Sequence, residues 1–276
     1  MESPKITVVT VCYNAEKEIE ATMRSVLDQN YLNLEYILID GASKDNTLDI
    51  IRVIKNEYSE RNIIVLTEPD RGIYDAMNKG IDLASGEWIN FMNVGDLFAD
   101  ADVLRDFFSM ADTRSPNDIL YGDVIYKYSF GSYYVDFHPG TDYTPFCHQA
   151  TFSRVSLMKK MHFDLSYQIV ADRNFLLQCQ RAGSLYVYYP RVVAKFKRYG
   201  GLSTDARNWR KVKIETYRME GRAKDWQYFC LVIGDFIQSH FHIRNPWVDV
   251  EARDLKKVES SVRSRKIVEE NEKSIG

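Results

Sequence analysis

Four short apolar runs punctuate the first hundred residues: KITVVTVC (5–12), LEYILID (34–40), NIIVLTE (62–68) and EWINFMN (87–93). Three segments with helical spacing separate them. AEKEIEATMRSVLDQ (15–29) places Ile19, Met23, Val26 and Leu27 on one face, NTLDIIRVIKNEY (46–58) does so with Leu48, Ile51 and Ile54, and IYDAMNKGIDLAS (73–85) with Ile73, Met77 and Ile81. Runs rich in β-branched residues that alternate with 3.6-period segments predict βαβ units, hence a mostly parallel, Rossmann-like sheet covered by helices on both faces. Crossovers in such sheets are right-handed, and ligands lie beyond the carboxyl ends of the strands.

The pattern changes after residue 115. DILYGDVIYKYSFGSYYVDFH (118–138) is aromatic and alternating, as in a β-ribbon, and a helix over 172–182 and strands near 184–197 are expected to follow. From about 204 the spacing reads as helical to the end, with a highly charged, weakly amphipathic stretch at 251–276. With 276 residues, 45% of them hydrophobic, the chain has enough apolar surface for one globular domain with a helical tail. The net charge of -3 gives no electrostatic footprint for nucleic acid. The four cysteines, Cys12, Cys147, Cys179 and Cys230, include no C-x-x-C pair or zinc-ligand spacing and read as reduced thiols of a cytosolic protein. ITVVTVC is too short for a signal-peptide core, and no run approaches the ~20 apolar residues of a membrane span. A cytoplasmic protein, attached at most to the inner face of the membrane, is expected.

The strand ends provide a test of this reading. After the four runs come Thr10-Val11-Cys12-Tyr13-Asn14, Asp40-Gly41-Ala42-Ser43-Lys44-Asp45, Glu68-Pro69-Asp70-Arg71-Gly72 and Asn93-Val94-Gly95-Asp96. Each stretch alone is explained by turn and capping chemistry. Four on one rim, three of them with carboxylates that would repel one another if they converged, point to a site where a metal or ligand offsets the charge. The first loop lacks G-x-G-x-x-G, and no G-x-x-x-x-G-K-[ST] occurs, which counts against a dinucleotide or P-loop site.

PKITVVTVCYNAEKEIEATMRSVLDQNYLNLEYILIDGASKDNT, with EPDRGIYDAMNKGIDLASGEWINFMNVGD, CHQATFSR, QIVADRNFLLQ and RYGGLST, resembles family 2 glycosyltransferases of GT-A fold over about residues 4–205. The likeness is greatest to bacterial enzymes that build exopolysaccharide, capsule and O-antigen repeats. It implies a catalytic domain at 1–205, with a nucleotide-binding half (1–100) and an acceptor half (101–205), and a helical extension at 206–276. It implies inverting transfer from a nucleotide-diphosphate sugar, usually a UDP-sugar, to the hydroxyl of a saccharide or lipid-linked saccharide. Carried over by position, Thr10, Tyr13 and Asn14 would lie against the nucleotide, and Asp40 would bond the uracil with Ser43 and Asp45 nearby. Asp70 and Gly72 would border base and ribose, and Asn78 would shape the same pocket. Asn93, Gly95 and Asp96 occupy the DxD-type position, with Asp96 as ligand to Mg²⁺ or Mn²⁺. Relatives often have two adjacent acids there, where this chain has Gly95-Asp96. Asp172 matches the catalytic base, although an acid in the first turn of a helix is also favoured by the helix dipole.

Single displacement at the anomeric carbon needs a carboxylate to take the acceptor proton and a cation to offset charge on the leaving diphosphate. The likeness sets His148 and Gln149 beside acceptor and diphosphate. Arg198, Gly200 and Gly201, in KFKRYGGLST, would form a loop closing over the diphosphate, or else a solvated turn. WQYFCLVIGDFIQSHF (226–241) reads as a core helix, or as a surface for a membrane or a second subunit. A sugar-nucleotide nucleotidyltransferase is the competing enzyme class, but VCYNAEKE lacks the glycine- and cation-rich loop such chemistry uses. A non-catalytic nucleotide-sugar-binding protein would not need both Asp96 and Asp172.

Overall fold

The computed structural model describes residues 3–113, 118–128, 131–135, 147–197, 208–226, 228–229, 232 and 264–267. They fall into two compact units, Met1–Ile125 with Asp136–Phe196, and Tyr126–Val135 with Lys197–Gly276.

In the first unit the alternation folds as expected: β1 (Ile6–Cys12), α1 (Ile19–Leu27), β2 (Leu34–Asp40), α2 (Thr47–Glu57), β3 (Asn62–Thr67), α3 (Ile73–Leu83) and β4 (Trp88–Phe91). The strands lie in the order β3-β2-β1-β4, all parallel. β1 and β2 are buried along their whole length, which is why apolar residues fall on both faces of each strand rather than alternating with polar ones. In register, Cys12 stands beside Asp40, whereas Phe91, the last residue of β4, stands beside Val9. Met77 and Ile81 of α3 are fully buried in a core shared with Val9, Ile37 and Ile39. At the amino ends of the strands, buried Glu35 takes hydrogen bonds from Lys5 Nζ (2.9 Å), Thr7 Oγ1 (2.8 Å) and the Ser85 amide (2.8 Å).

Just beyond β4 lie two elements that the sequence reading passed over. β5 (Leu97–Phe98) precedes α4 (Val103–Met110), whose Val103, Leu104, Phe107 and Phe108 are buried at helical spacing. β6 (Ile119–Tyr128) begins the expected aromatic ribbon, and β7 (Gly131–Val135), which belongs to the second unit, follows it in the chain. A 3₁₀ turn, His148–Ala150, leads into β8 (Thr151–Arg154), which lies antiparallel to both β4 and β6. α5 (Val155–Met161), α6 (Ala171–Arg181) and β9 (Tyr186–Lys197) complete the unit, β9 pairing antiparallel with β5.

The second unit contains β7, α7 (Trp209–Met219) and β10 (Ser264–Ile267). β10 corrects the expectation of helix to the end of the chain. Ser264–Ile267 pairs antiparallel with Val135–Ser132. A weakly amphipathic segment has little to gain as a helix, and backbone pairing with a strand edge overrides its local preference. Most of 226–241 lies outside the described residues; of the described part, Trp226 and Phe229 are exposed with ring centroids 5.8 Å apart. Among the described residues no helix is long and apolar enough to cross a membrane.

Candidate active site

The site is built on the carboxyl ends of β1 to β4. The first two loops are stitched together by their own polar groups. Ser43 Oγ accepts the Asn14 amide (2.8 Å) and donates to Asp40 Oδ1, while the Ser43 amide donates to Asp40 Oδ2 (3.1 Å). Asn14, at φ +48°, accepts the Lys44 amide on Oδ1 (2.8 Å). Asp45 accepts the Glu16 amide (3.1 Å) and the Thr47 amide (3.1 Å), and Thr47 Oγ1 accepts the Ala15 amide (2.7 Å). The unpaired N–H groups at the approach to α1 are thus satisfied by the neighbouring loop. Asp40 is fully buried, and both of its oxygens are used within its own turn. Thr10 is also fully buried, its hydroxyl bonded to Met92 O (2.6 Å) and Tyr36 OH (2.8 Å). Exposed on this part of the rim is the ring of Tyr13, 63% accessible.

Gly41 brings two further strand ends against Tyr13. A Cβ on Gly41 would sit 2.8 Å from Asp70 Oδ2 and 3.3 Å from Tyr13 Cδ2, so only glycine permits this approach. Asp70 pairs with Lys79 Nζ (2.6 Å), which also binds Glu68 (2.9 Å). Gly72, at φ +131°, opens α3.

Asn93–Asp96 forms a tight turn after β4. The Asp96 amide returns to Asn93 O (3.0 Å), Gly95 takes φ +94°, and Thr22 Oγ1 accepts the Gly95 amide (3.1 Å) while donating to Asp96 O (3.1 Å). The Asp96 carboxylate is buried, and Gln149 Nε2 donates to its Oδ2 at 2.7 Å. Asn93 Oδ1 is buried without a hydrogen-bond partner among the described residues.

Asp172 lies in the first turn of α6, its side chain 14% accessible. Tyr74 OH, from α3, reaches Asp172 Oδ1 at 2.9 Å and Ile169 O at 2.7 Å. His148 Nδ1 stands 2.9 Å from Asp172 Oδ2, and its Nε2 stands 3.3 Å from Asn93 Nδ2. Burial raises the Asp172 pKa, but the hydrogen bond and charge of His148, then the Tyr74 hydroxyl and the Arg173 amide, outweigh it. The net value lies below the ordinary carboxyl range. A small cavity of about 20 Å³, room for about one water, lies against His148 and Asp172 and is otherwise lined by residues such as Phe91, Phe163, Phe175 and Leu176. Phe175, Leu176 and Cys179 pack inward, as the spacing of α6 predicts.

The structure thus joins Asn93, Asp96, His148, Gln149 and Asp172 in one network, and sets Tyr13, Asn14, Asp40, Ser43, Asp45, Asp70 and Gly72 on one rim. Asn78 faces elsewhere: its amide makes a two-way bond with the backbone of Phe163 (2.9 and 2.8 Å). The strand-end carboxylates do not pool their charge, since Asp40 is held by Ser43, Asp70 by Lys79 and Asp96 by Gln149. Among the described residues no three His, Cys, Asp or Glu side chains are grouped to hold a metal ion unaided. Arg198, Gly200 and Gly201 lie outside the described residues. Sequence reasoning missed Tyr74 and Asn90. Tyr74 sits at a helix start among apolar residues, and Asn90 inside a buried strand is a signal in itself, because a buried amide needs partners.

The family model "Glycosyl transferase family 2" matches residues 7–162. A PGL/p-HBAD biosynthesis glycosyltransferase of Mycobacterium tuberculosis is 33% identical over 208 residues, which covers 74% of this chain and 80% of that protein. Among solved structures, Staphylococcus aureus TarS 1–349 in complex with UDP-GlcNAc is 16% identical with a TM-score of 0.61, covering 87% of this chain and 73% of its own. The mannosyltransferase PcManGT of Pyrobaculum calidifontis, in complex with GDP-Man and Mn²⁺, is 17% identical with a TM-score of 0.62, covering 95% and 76%. The shared fold is the GT-A type.

Proposed function

The chain belongs to glycosyl transferase family 2, and from that premise we propose that it is a metal-dependent inverting transferase, moving a sugar from a UDP-sugar to a hydroxyl of a saccharide or lipid-linked saccharide during cell-surface polysaccharide synthesis. The observation that carries this reading is the link between two carboxylates. Asp172 is held by Tyr74 and His148, and His148 contacts Asn93 in the turn that bears Asp96. The complexes of TarS with UDP-GlcNAc and of PcManGT with GDP-Man and Mn²⁺ support the donor class and the cation, and the biosynthetic role of the mycobacterial relative supports the pathway class.

In this reading Asp172 is the general base. Its depressed pKa keeps it ionised at neutral pH, so it can accept the acceptor hydroxyl proton as that oxygen attacks the anomeric carbon. Each carboxylate oxygen has more than one acceptor direction, so the bonds from Tyr74 and His148 orient it without saturating it. Tyr13, exposed on the rim, offers a face for the base of the nucleotide. The Asn93–Asp96 turn suits a hard divalent cation. It carries a carboxylate and, in Asn93 Oδ1, a buried amide oxygen that lacks a partner among the described residues, and Mg²⁺ and Mn²⁺ favour such oxygen donors. When bound, the cation neutralises charge on the departing diphosphate. His148 and Gln149 serve the two carboxylates, and exposed Trp226 and Phe229 support a peripheral contact with a membrane surface that carries the acceptor.

The test is to incubate the purified chain with a panel of UDP- and GDP-sugars, with and without Mn²⁺ or Mg²⁺. Metal-dependent release of the free nucleoside diphosphate is expected, with inversion seen by NMR of the product anomer. Release of pyrophosphate, or neither turnover nor thermal stabilisation by any donor, overturns the reading.

A further inference from the structure

Gln149 is 2% accessible, too deep to touch an acceptor. Its carboxamide is engaged at both ends: Nε2 donates to Asp96 Oδ2 at 2.7 Å, and Oε1 accepts from Cys147 Sγ at 3.0 Å. The reverse orientation would set Oε1 against a carboxylate, so electrostatics fixes the amide as described. The backbone beneath is anchored too. Fully buried Asn90 donates through Nδ2 to Gln149 O (3.0 Å) and Thr151 O (2.9 Å). A 3₁₀ turn rotates about 120° per residue. Consecutive side chains therefore diverge, and His148 meets Asp172 while Gln149 meets Asp96.

We propose that the turn His148–Ala150 is a mount fixed by Asn90, on which Gln149 is the positioning residue for Asp96. Gln149 holds one oxygen of that carboxylate and so sets the direction in which Asp96 faces the cation. This rests on the function proposed above, because it assigns Asp96 to the metal.

Mn²⁺ titration followed by electron paramagnetic resonance, with UDP present, tests the assignment in the full chain. Gln149→Met keeps the volume but cannot donate. Loss of a hydrogen bond that orients a ligand typically costs about 10–100-fold in metal affinity, and a rise of that size in the Mn²⁺ dissociation constant is expected, with metal-free UDP binding unchanged. Placed on an Asp96→Asn background, Gln149→Met should add nothing, since it acts through Asp96. Wild-type Mn²⁺ affinity in Gln149→Met, or the same added loss on that background, overturns the proposal. If Gln149→Met does not fold, Cys147→Ala, which frees the carboxamide to turn, carries the test. Weaker Mn²⁺ binding supports the assignment, and wild-type affinity overturns it. A wild-type protein that binds no Mn²⁺ with UDP overturns both the positioning role and the metal-dependent function. One that binds Mn²⁺ and UDP yet transfers no sugar overturns only the function.

Discussion

Tyr74 and Asp172 stand 98 positions apart in the chain and are joined by a hydrogen bond of 2.9 Å. The same hydroxyl bonds Ile169 O, two residues before α6, so the start of α3 and the approach to α6 are fastened at one point. Tyr74→Phe deletes both bonds and leaves the ring in its contact with Phe163. A loss of about 1–2 kcal/mol in unfolding free energy is expected, measurable by urea titration. Because Tyr74 is among the groups that lower the Asp172 pKa, its removal raises that pKa, and the acidic limb of the kcat/KM–pH profile should move to higher pH.

Asp172→Asn retains the side-chain volume, and its amide oxygen can still accept the Tyr74 hydroxyl. It cannot take a proton. Transfer should fall by roughly 10²–10⁴-fold while binding of UDP-sugar and metal stays close to wild type. Transfer at the wild-type rate would leave Asp172 with a structural role alone.

Asp96→Ala should abolish the added thermal stability that Mn²⁺ confers in the presence of UDP. A ligand at 100 times its Kd adds about 2.7 kcal/mol, well within the range of a melting experiment. Retention of that Mn²⁺-dependent increment would remove Asp96 from the metal site.

Gly41→Ala would drive a methyl group to 2.8 Å from Asp70 Oδ2 and 3.3 Å from the Tyr13 ring. One of the two must move. Weaker UDP binding with a near-normal melting temperature is expected, read by isothermal calorimetry, and unchanged affinity would show that this edge does not meet the nucleotide.

Glu35 is buried with Lys5, Thr7 and Ser85 around it. Burial raises its pKa, but the Ser85 hydroxyl and amide, then Lys5 and Thr7, bring the net value below the ordinary one. Its folded pKa being depressed, it adds stability above the unfolded value of about 4.3, and that stability is lost as pH falls through the lower folded value. Glu35→Ala strands these donors and should cost about 3 kcal/mol at pH 7. In urea titrations the gap between variant and wild type should narrow as pH drops below 4.

The parallel half of the fold was legible because burial on both faces of β1 and β2 leaves an unmistakable apolar run, and α1 to α3 each show one apolar face. The elements after β4 were harder to read. β5 has two residues and β8 four, too few for a period, and α5 has seven. β10 is formed by pairing with β7 rather than by its own pattern. In the site, Asp96, Asp172, His148 and Gln149 could be nominated from motif positions, but Tyr74 and Asn90 could not, nor could the pairing of Gln149 with Asp96. These contacts span 98, 59 and 53 positions, and local sequence holds no trace of such pairings. The turn and capping chemistry that explains each rim stretch alone is present at Asp40 and Asp45, whose oxygens tie two loops together.

The register of the sheet has a geometric consequence. β1 and β2 end together at Cys12 and Asp40, but β4 leaves the sheet at the level of Val9. Three residues of strand amount to about 10 Å of rise. The carboxyl edge is therefore a staircase rather than a level rim, with the turn that carries Asp96 on the lower step and Tyr13 on the upper. An elongated molecule that rested on both would lie aslant across the strands, so its two ends would be distinguished by height before any side chain took part.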